Sequence, residues 1–218
     1  MAKRGGAAKS GAAKAGGGAA EGQAGDAEGR LVDAALRLAA RQGWRVIGVA
    51  AIAAEAGLPL DQAYAACSSK LAILAALHRR IDRAALAGAA IESDASPRDR
   101  LFDILMRRFD ALQPHQAALR AIRRDSIGDP TALLDAPAVL RSMAWMLEAA
   151  GISAAGWRGG LRTQLLAGLY FWVLRDFLDD DSADLAQTMA ALDRRLRRAQ
   201  SLLGIAGTAP GGTDAASG

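Results

Sequence analysis

The tightest constraint in this chain is the punctuation between residues 49 and 70. An apolar segment from Val49 to Ala56 is stopped by Gly57, and Pro59 opens a second short segment that runs to Cys67. Proline is tolerated in the first turn of a helix, and glycine supplies the backbone freedom that a tight turn needs. Ser68 or Ser69 then caps a longer helix, in which Leu74, Leu77 and Ile81 share one face. The spacing therefore predicts two short helices folded against each other across Gly57, followed by a longer one.

The same period runs through most of the sequence. Leu31, Ala35 and Leu38 form a stripe that Gly43 ends. Ser96-Pro97 starts a helix with Leu101, Leu105 and Leu112 inward, and Pro114 starts another. Asp129-Pro130 and Pro137 precede Leu140, Met143 and Leu147, which Gly151 closes; Gly156, Gly159 and Gly160 are expected in the loop beyond. The last two helices are the most apolar, with Leu161, Leu165, Leu169, Trp172 and Val173 on one and Leu185, Met189, Leu192, Leu196, Ala199 and Leu203 on the other. Asp179-Asp180-Asp181 reads as a solvated, helix-breaking linker between them, with Ser182 and Asp184 capping the second. Alanine and leucine dominate a 51% hydrophobic composition, and two tyrosines and four phenylalanines leave strand formers scarce. The fold class is all-α.

Residues 1–29 and 204–218, rich in Ala and Gly, show no period and are expected to be disordered tails. What lies between divides into a small domain, 30–78, and a larger one, 79–203. Twenty-seven Lys and Arg against 23 Asp and Glu leave a net charge of +4, a small imbalance on a surface of alternating sign. Charge alone therefore says little about nucleic acid. The single cysteine, Cys67, excludes an intrachain disulfide and reads as a small buried hydrophobe. No apolar run approaches the ~20 residues that span a bilayer, and the N-terminus lacks the apolar stretch of a secretory signal. A cytoplasmic location is expected.

Several residues in the first domain carry a resemblance. They are Ala34-Ala35 and Leu38, Gly43-Trp44, Ile52-Ala53, Ala56-Gly57, Tyr64, Ser69-Lys70 and Leu74. With this unbroken spacing, Arg30 to His78 resembles the helix-turn-helix domain of TetR-family transcriptional regulators. The resemblance implies a TetR-like fold: a three-helix reading head on a larger helical domain that binds an effector and dimerises. It also implies double-stranded DNA as a partner, with Tyr64 and Lys70 on phosphates. Two departures stand out. Ile47 and Gly48 occupy positions where the family places hydroxyl residues, so a helix cap is missing. The second short helix carries no Arg or Lys, which leaves Gln62 as its one base-reading side chain, with Arg45 and Arg41 on the flank.

The larger domain offers little for catalysis. His78 and His115 are far apart, and no metal spacing, phosphate loop or nucleophile motif is present, so no enzyme, metal or cofactor is expected. A cavity for a small apolar effector is expected around Trp145, Tyr170 and Trp172, without an evident polar contact. The apolar faces of 161–178 and 182–203 suit a homodimer. The expected function is that of a ligand-responsive DNA-binding regulator, a repressor by type. Leu101 to Leu112 and Asp181 to Arg195 also resemble the lipid-binding proteins of ubiquinone biosynthesis that share the fold. That resemblance implies an alternative, a lipid carrier that does not bind DNA.

Overall fold

The structure, a computed structural model, describes residues 15–88, 94–127 and 135–204, with side chains from Gly25 onward. Its helices are α1 (Ala15–Gln42), α2 (Val49–Glu55), α3 (Leu60–Ala66), α4 (Lys70–Leu86), α5 (Pro97–Leu112), α6 (Gln116–Ser126), α7 (Ala136–Ala149), α8 (Gly156–Asp179) and α9 (Ala186–Leu203). A 3-10 turn, Gln113–His115, leads into α6. No strand occurs among the described residues, and no helix there is long and apolar enough to cross a membrane.

The first three helices pack on one another through the stripe seen in the sequence. Leu31, Ala34, Ala35 and Leu38 of α1 are buried with Ile52, Ala53, Ala63 and Cys67. Gly57 has a φ of +63°, the left-handed conformation that lets α2 turn into α3. Arg30 of α1 holds this turn: its guanidinium donates to the Ala56 carbonyl at 2.7 Å and to the Gly57 carbonyl at 3.0 Å. Those carbonyls lie at the open end of α2, where intrahelical donors run out. Ser69 caps α4, its Oγ accepting from the Ala72 N–H at 3.0 Å.

Helix α4 leaves this unit and packs against α1, α5 and α7, burying Ile73, Ala76, Leu77, Ile81 and Ala85. Around it the larger half is built on α5, whose Phe109 stacks on Tyr170 with ring centroids 5.4 Å apart and meets Phe177 at 5.2 Å. Helices α8 and α9 fold back on each other, and α6 lies along α1. One continuous apolar core links both halves.

Four expectations need correction. Helix α1 begins at Ala15, so 15–29 is not a tail: Ala27 packs on the core and Glu28 pairs with Arg79 of α4. The expected N-terminal tail at 1–14 and C-terminal tail at 205–218 lie outside the described residues. The boundary at residue 78 falls inside α4, which runs unbroken between the halves. Gly156, Gly159 and Gly160 belong to α8, which Gly156 opens, not to a loop. A Cβ on Gly159 would stand 2.0 Å from the Ala154 carbonyl carbon, so the incoming chain can lie on the first turn of α8 only over a glycine. Finally, Asp180 is no solvated linker residue: its side chain is buried in the α8–α9 turn.

Candidate nucleic-acid interface and ligand cavity

Helix α3 is seven residues long and buries one of them, Ala63. Leu60, Asp61, Gln62, Tyr64 and Ala65 are exposed, so Gln62 and Tyr64 both reach solvent from the same short helix. Tyr64 is 70% exposed, and Val46 in the preceding loop 74%. The face is polar and aromatic, with Asp61 as its one charged group. As Ile47-Gly48 implies, the N-terminus of α2 has no side-chain cap. Ile47 is spent on the core instead.

The basic residues near this face have internal partners. The Lys70 ammonium donates to the Trp44 carbonyl at 2.6 Å and lies 4.4 Å above the Trp44 ring. It thereby fastens the α1–α2 loop to the start of α4. Arg41 pairs with Glu55 at 2.9 Å, and Arg37 bonds the same carboxylate at 3.1 Å. These contacts, the Arg37 bond foremost, draw the Glu55 carboxyl below its ordinary range. Arg45 turns towards α6: its guanidinium donates to the Asp125 carbonyl at 2.8 Å, and its backbone N–H to Asp125 Oδ2 at 3.0 Å. That backbone bond is the main reason the Asp125 carboxyl sits low. The structure thus keeps Gln62 and Tyr64 together on α3 and places Lys70 and Arg45 as ties between elements.

A cavity of about 230 Å³ opens between α4, α5, α6, α7 and α8. Leu74 and Leu77 of α4, Leu119 and Ile122 of α6, Val139 of α7 and Leu174 of α8 give it an apolar wall. Of the three residues expected there, Tyr170 lines it. Trp145 and Trp172 do not; they are 59% and 49% exposed on the outer faces of α7 and α8. The helical period explains this. Ser142, Met143, Met146 and Leu147 turn inward on α7, and Tyr170, Val173 and Phe177 on α8, which leaves both tryptophans outside the buried stripe.

The polar side of the cavity is formed by residues that no sequence motif marks. Arg108 is 1% exposed yet carries a full charge into the core. Its Nη1 pairs with Asp82, its Nε donates to the Tyr170 hydroxyl at 3.2 Å, and its Nη2 lies 3.1 Å from His78 Nδ1. His78 Nε2 in turn lies 2.9 Å from Asp135 Oδ2, and Ser142 donates to the second oxygen of Asp82 at 2.6 Å. Five groups, on α4, α7, α8 and the residue before α7, are thereby tied to one buried guanidinium of α5, and His78, Arg108, Asp135 and Tyr170 all face the cavity. The one sequence signal was an arginine, Arg108, on the apolar stripe of α5 between Leu105 and Leu112.

Helix α8 also carries an outward stripe. Trp157, Leu161, Phe171 and Trp172 are exposed along it, and Gly160 and Gly168 stand in open space. Met189 and Leu202 of α9 are exposed as well.

No family model matches the sequence, and no curated protein matches it. Solved structures do. A TetR transcriptional regulator from Nitrosomonas europaea ATCC 19718 is similar at a TM-score of 0.64 and 24% identity, over 80% of this chain and 98% of that one. A TetR transcriptional regulator from Rhodococcus sp. RHA1 is similar at a TM-score of 0.60 and 24% identity, over 79% of this chain and 94% of that one. The all-helical architecture described here, from the paired short helices to the α8–α9 pair, is the fold of these TetR transcriptional regulators.

Proposed function

We propose that this protein is a dimeric, DNA-binding transcriptional regulator of the TetR type, released from its operator by a small, largely apolar effector. It is a binding protein, not an enzyme. The observation that carries the reading is the course of α4. This single helix starts beside α3 at Lys70 and lines the cavity with Leu74, Leu77, His78 and Ile81. A ligand in the cavity therefore presses on the element that supports the reading head. Gln62 and Tyr64 would face the major groove, Gln62 towards base edges and Tyr64 towards a phosphate. Two heads joined by their α8–α9 faces would read a palindromic site. An effector that favours one spacing of the heads shifts the balance between binding and release.

The test is fluorescence anisotropy with duplex DNA from upstream of the protein's own gene, at 50 and 200 mM salt. The expected result is affinity that falls steeply with salt. Tyr64→Phe and Gln62→Ala should each weaken binding by about fivefold or more without lowering the unfolding midpoint. A flat response to salt and to both substitutions overturns the reading. Lys70→Ala is a poor substitute, because it also breaks the contact with Trp44.

The cation-free face of α3 favours a second reading, the lipid carrier that does not bind DNA. A cavity of about 230 Å³ suits a compact molecule better than a long isoprenoid chain. Co-purified lipid in native mass spectrometry, together with no DNA affinity, would establish this alternative.

A further inference from the structure

Asp135 occupies a helix-capping position and caps nothing. It precedes the first residue of α7, yet its side chain accepts no hydrogen bond from that helix. Pro137 in the first turn has no N–H to offer. The carboxylate turns instead to the cavity, where Oδ2 meets His78 Nε2 at 2.9 Å. Its other oxygen, Oδ1, is shielded from solvent and has no hydrogen-bond partner among the described residues. A buried acceptor left in this state is costly, and a charged one more so.

The neighbouring charges leave Asp135 uncompensated. A guanidinium can only donate, so Arg108 Nη2 fixes the lone pair of His78 on Nδ1. That leaves the imidazole N–H on Nε2, where it donates to Asp135. Arg108 has its own counter-ion in Asp82. The other cation on the lining, Arg123, lies 3.8 Å from Asp179. Asp135 is the remaining charge, set against a wall of Leu, Ile and Val.

We propose that the cavity takes a lipophilic cation, a protonated amine on a compact apolar body, with its N–H group on Asp135 Oδ1. A hydroxyl would supply the missing hydrogen bond but leave the charge without a counter-ion; an ammonium supplies the bond and the counter-charge together. An anion would meet the carboxylate directly. Through Asp135 and His78 the same contact bears on α4. This proposal rests on the reading of the cavity as the effector site.

Isothermal titration of the full chain at neutral pH with octylamine, octanol and octanoate, each below its micellar concentration, tests it. Octylamine should bind about tenfold more tightly than octanol, with octanoate weakest. Asp135→Asn, isosteric and uncharged, should bring octylamine down to the level of octanol and leave octanol unchanged. Leu174→Trp, which fills the cavity, should abolish binding of all three, with the unfolding midpoint of each variant confirming that it folds. Equal affinity for amine and alcohol, tighter octanoate binding at Arg123, or an amine preference that survives Asp135→Asn overturns the proposal. In those cases octanol binding that is blocked by Leu174→Trp leaves the cavity reading standing. If none of the three binds the wild-type chain, both fall.

Discussion

At Asp180, burial and hydrogen bonding pull in opposite directions. Burial resists ionisation, but Ser182 and Thr188 each donate a backbone N–H and a hydroxyl to the carboxylate, and these bonds lower its pKa to about 2. A folded-state pKa below the ordinary 3.8 means that the ionised group stabilises the fold above the ordinary value. That contribution is lost as pH falls from about 4 through about 2. Asp180→Asn should therefore be less stable than wild type by about 2 kcal/mol at pH 7. The gap should narrow when denaturant midpoints are measured at steps from pH 5 down to pH 2. A constant gap would mean that Asp180 stabilises by shape alone. The sequence presents three consecutive aspartates that composition cannot tell apart. Which one turns inward depends on the α8–α9 turn, where Leu185 takes a left-handed φ of +52° and buries its side chain. A β-region or right-handed backbone is the norm for leucine, and burial of its side chain offsets the strain.

At the level of elements, the contact between the α1–α2 loop and α6 joins the two halves. Arg45 binds both the carbonyl and the carboxylate of Asp125, close to Leu119, Ile122 and Arg123 on the cavity wall. Asp125→Ala should leave helix content and ligand affinity unchanged. It should reduce the ligand-induced change in DNA affinity by about threefold or more, measured by anisotropy with and without saturating ligand. An unchanged coupling would leave α4 as the sole route. The elements themselves were legible from the sequence. Gly57, Ser69, Ser96-Pro97 and Gly151 act locally, through backbone conformation and capping, and hold the turn, cap and end positions that the sequence predicts, while Pro59 stands at the N-cap of α3, one residue before its first turn. The Arg45–Asp125 link was not legible, because it spans 80 residues and no local rule relates the two.

For the whole molecule, the proposed dimer rests on the uncovered stripe of α8. Trp157 and Leu161 are exposed near the start of that helix, and the bare backbone at Gly160 and Gly168 permits close approach of another helix. A dimer in light scattering at micromolar concentration is the expected state. Trp157→Glu combined with Leu161→Glu should yield a folded monomer with DNA affinity reduced by about thirtyfold or more. A dimer that persists would move the interface elsewhere.

The sequence by itself determined the all-α class, the turn at Gly57, most helix starts and the buried stripes of α1 and α5, since these follow from period, capping and backbone preference within a few residues; on α8 the stripe it marked is largely the exposed one, and only Val173 of it is buried. The resemblance pointed to Tyr64 and the residue types of α3 to Gln62, and both side chains are exposed on that helix. The tertiary structure alone decided what faces what. It tied Lys70 to Trp44, gave Arg45 to Asp125, and sent Trp145 and Trp172 outside while Tyr170 remained on the cavity. It also brought His78 from α4, Arg108 from α5 and Asp135 from just before α7 to one wall. Charge pairing across helices depends on their rotation and depth of packing, and those are set by the whole core rather than by any segment of it.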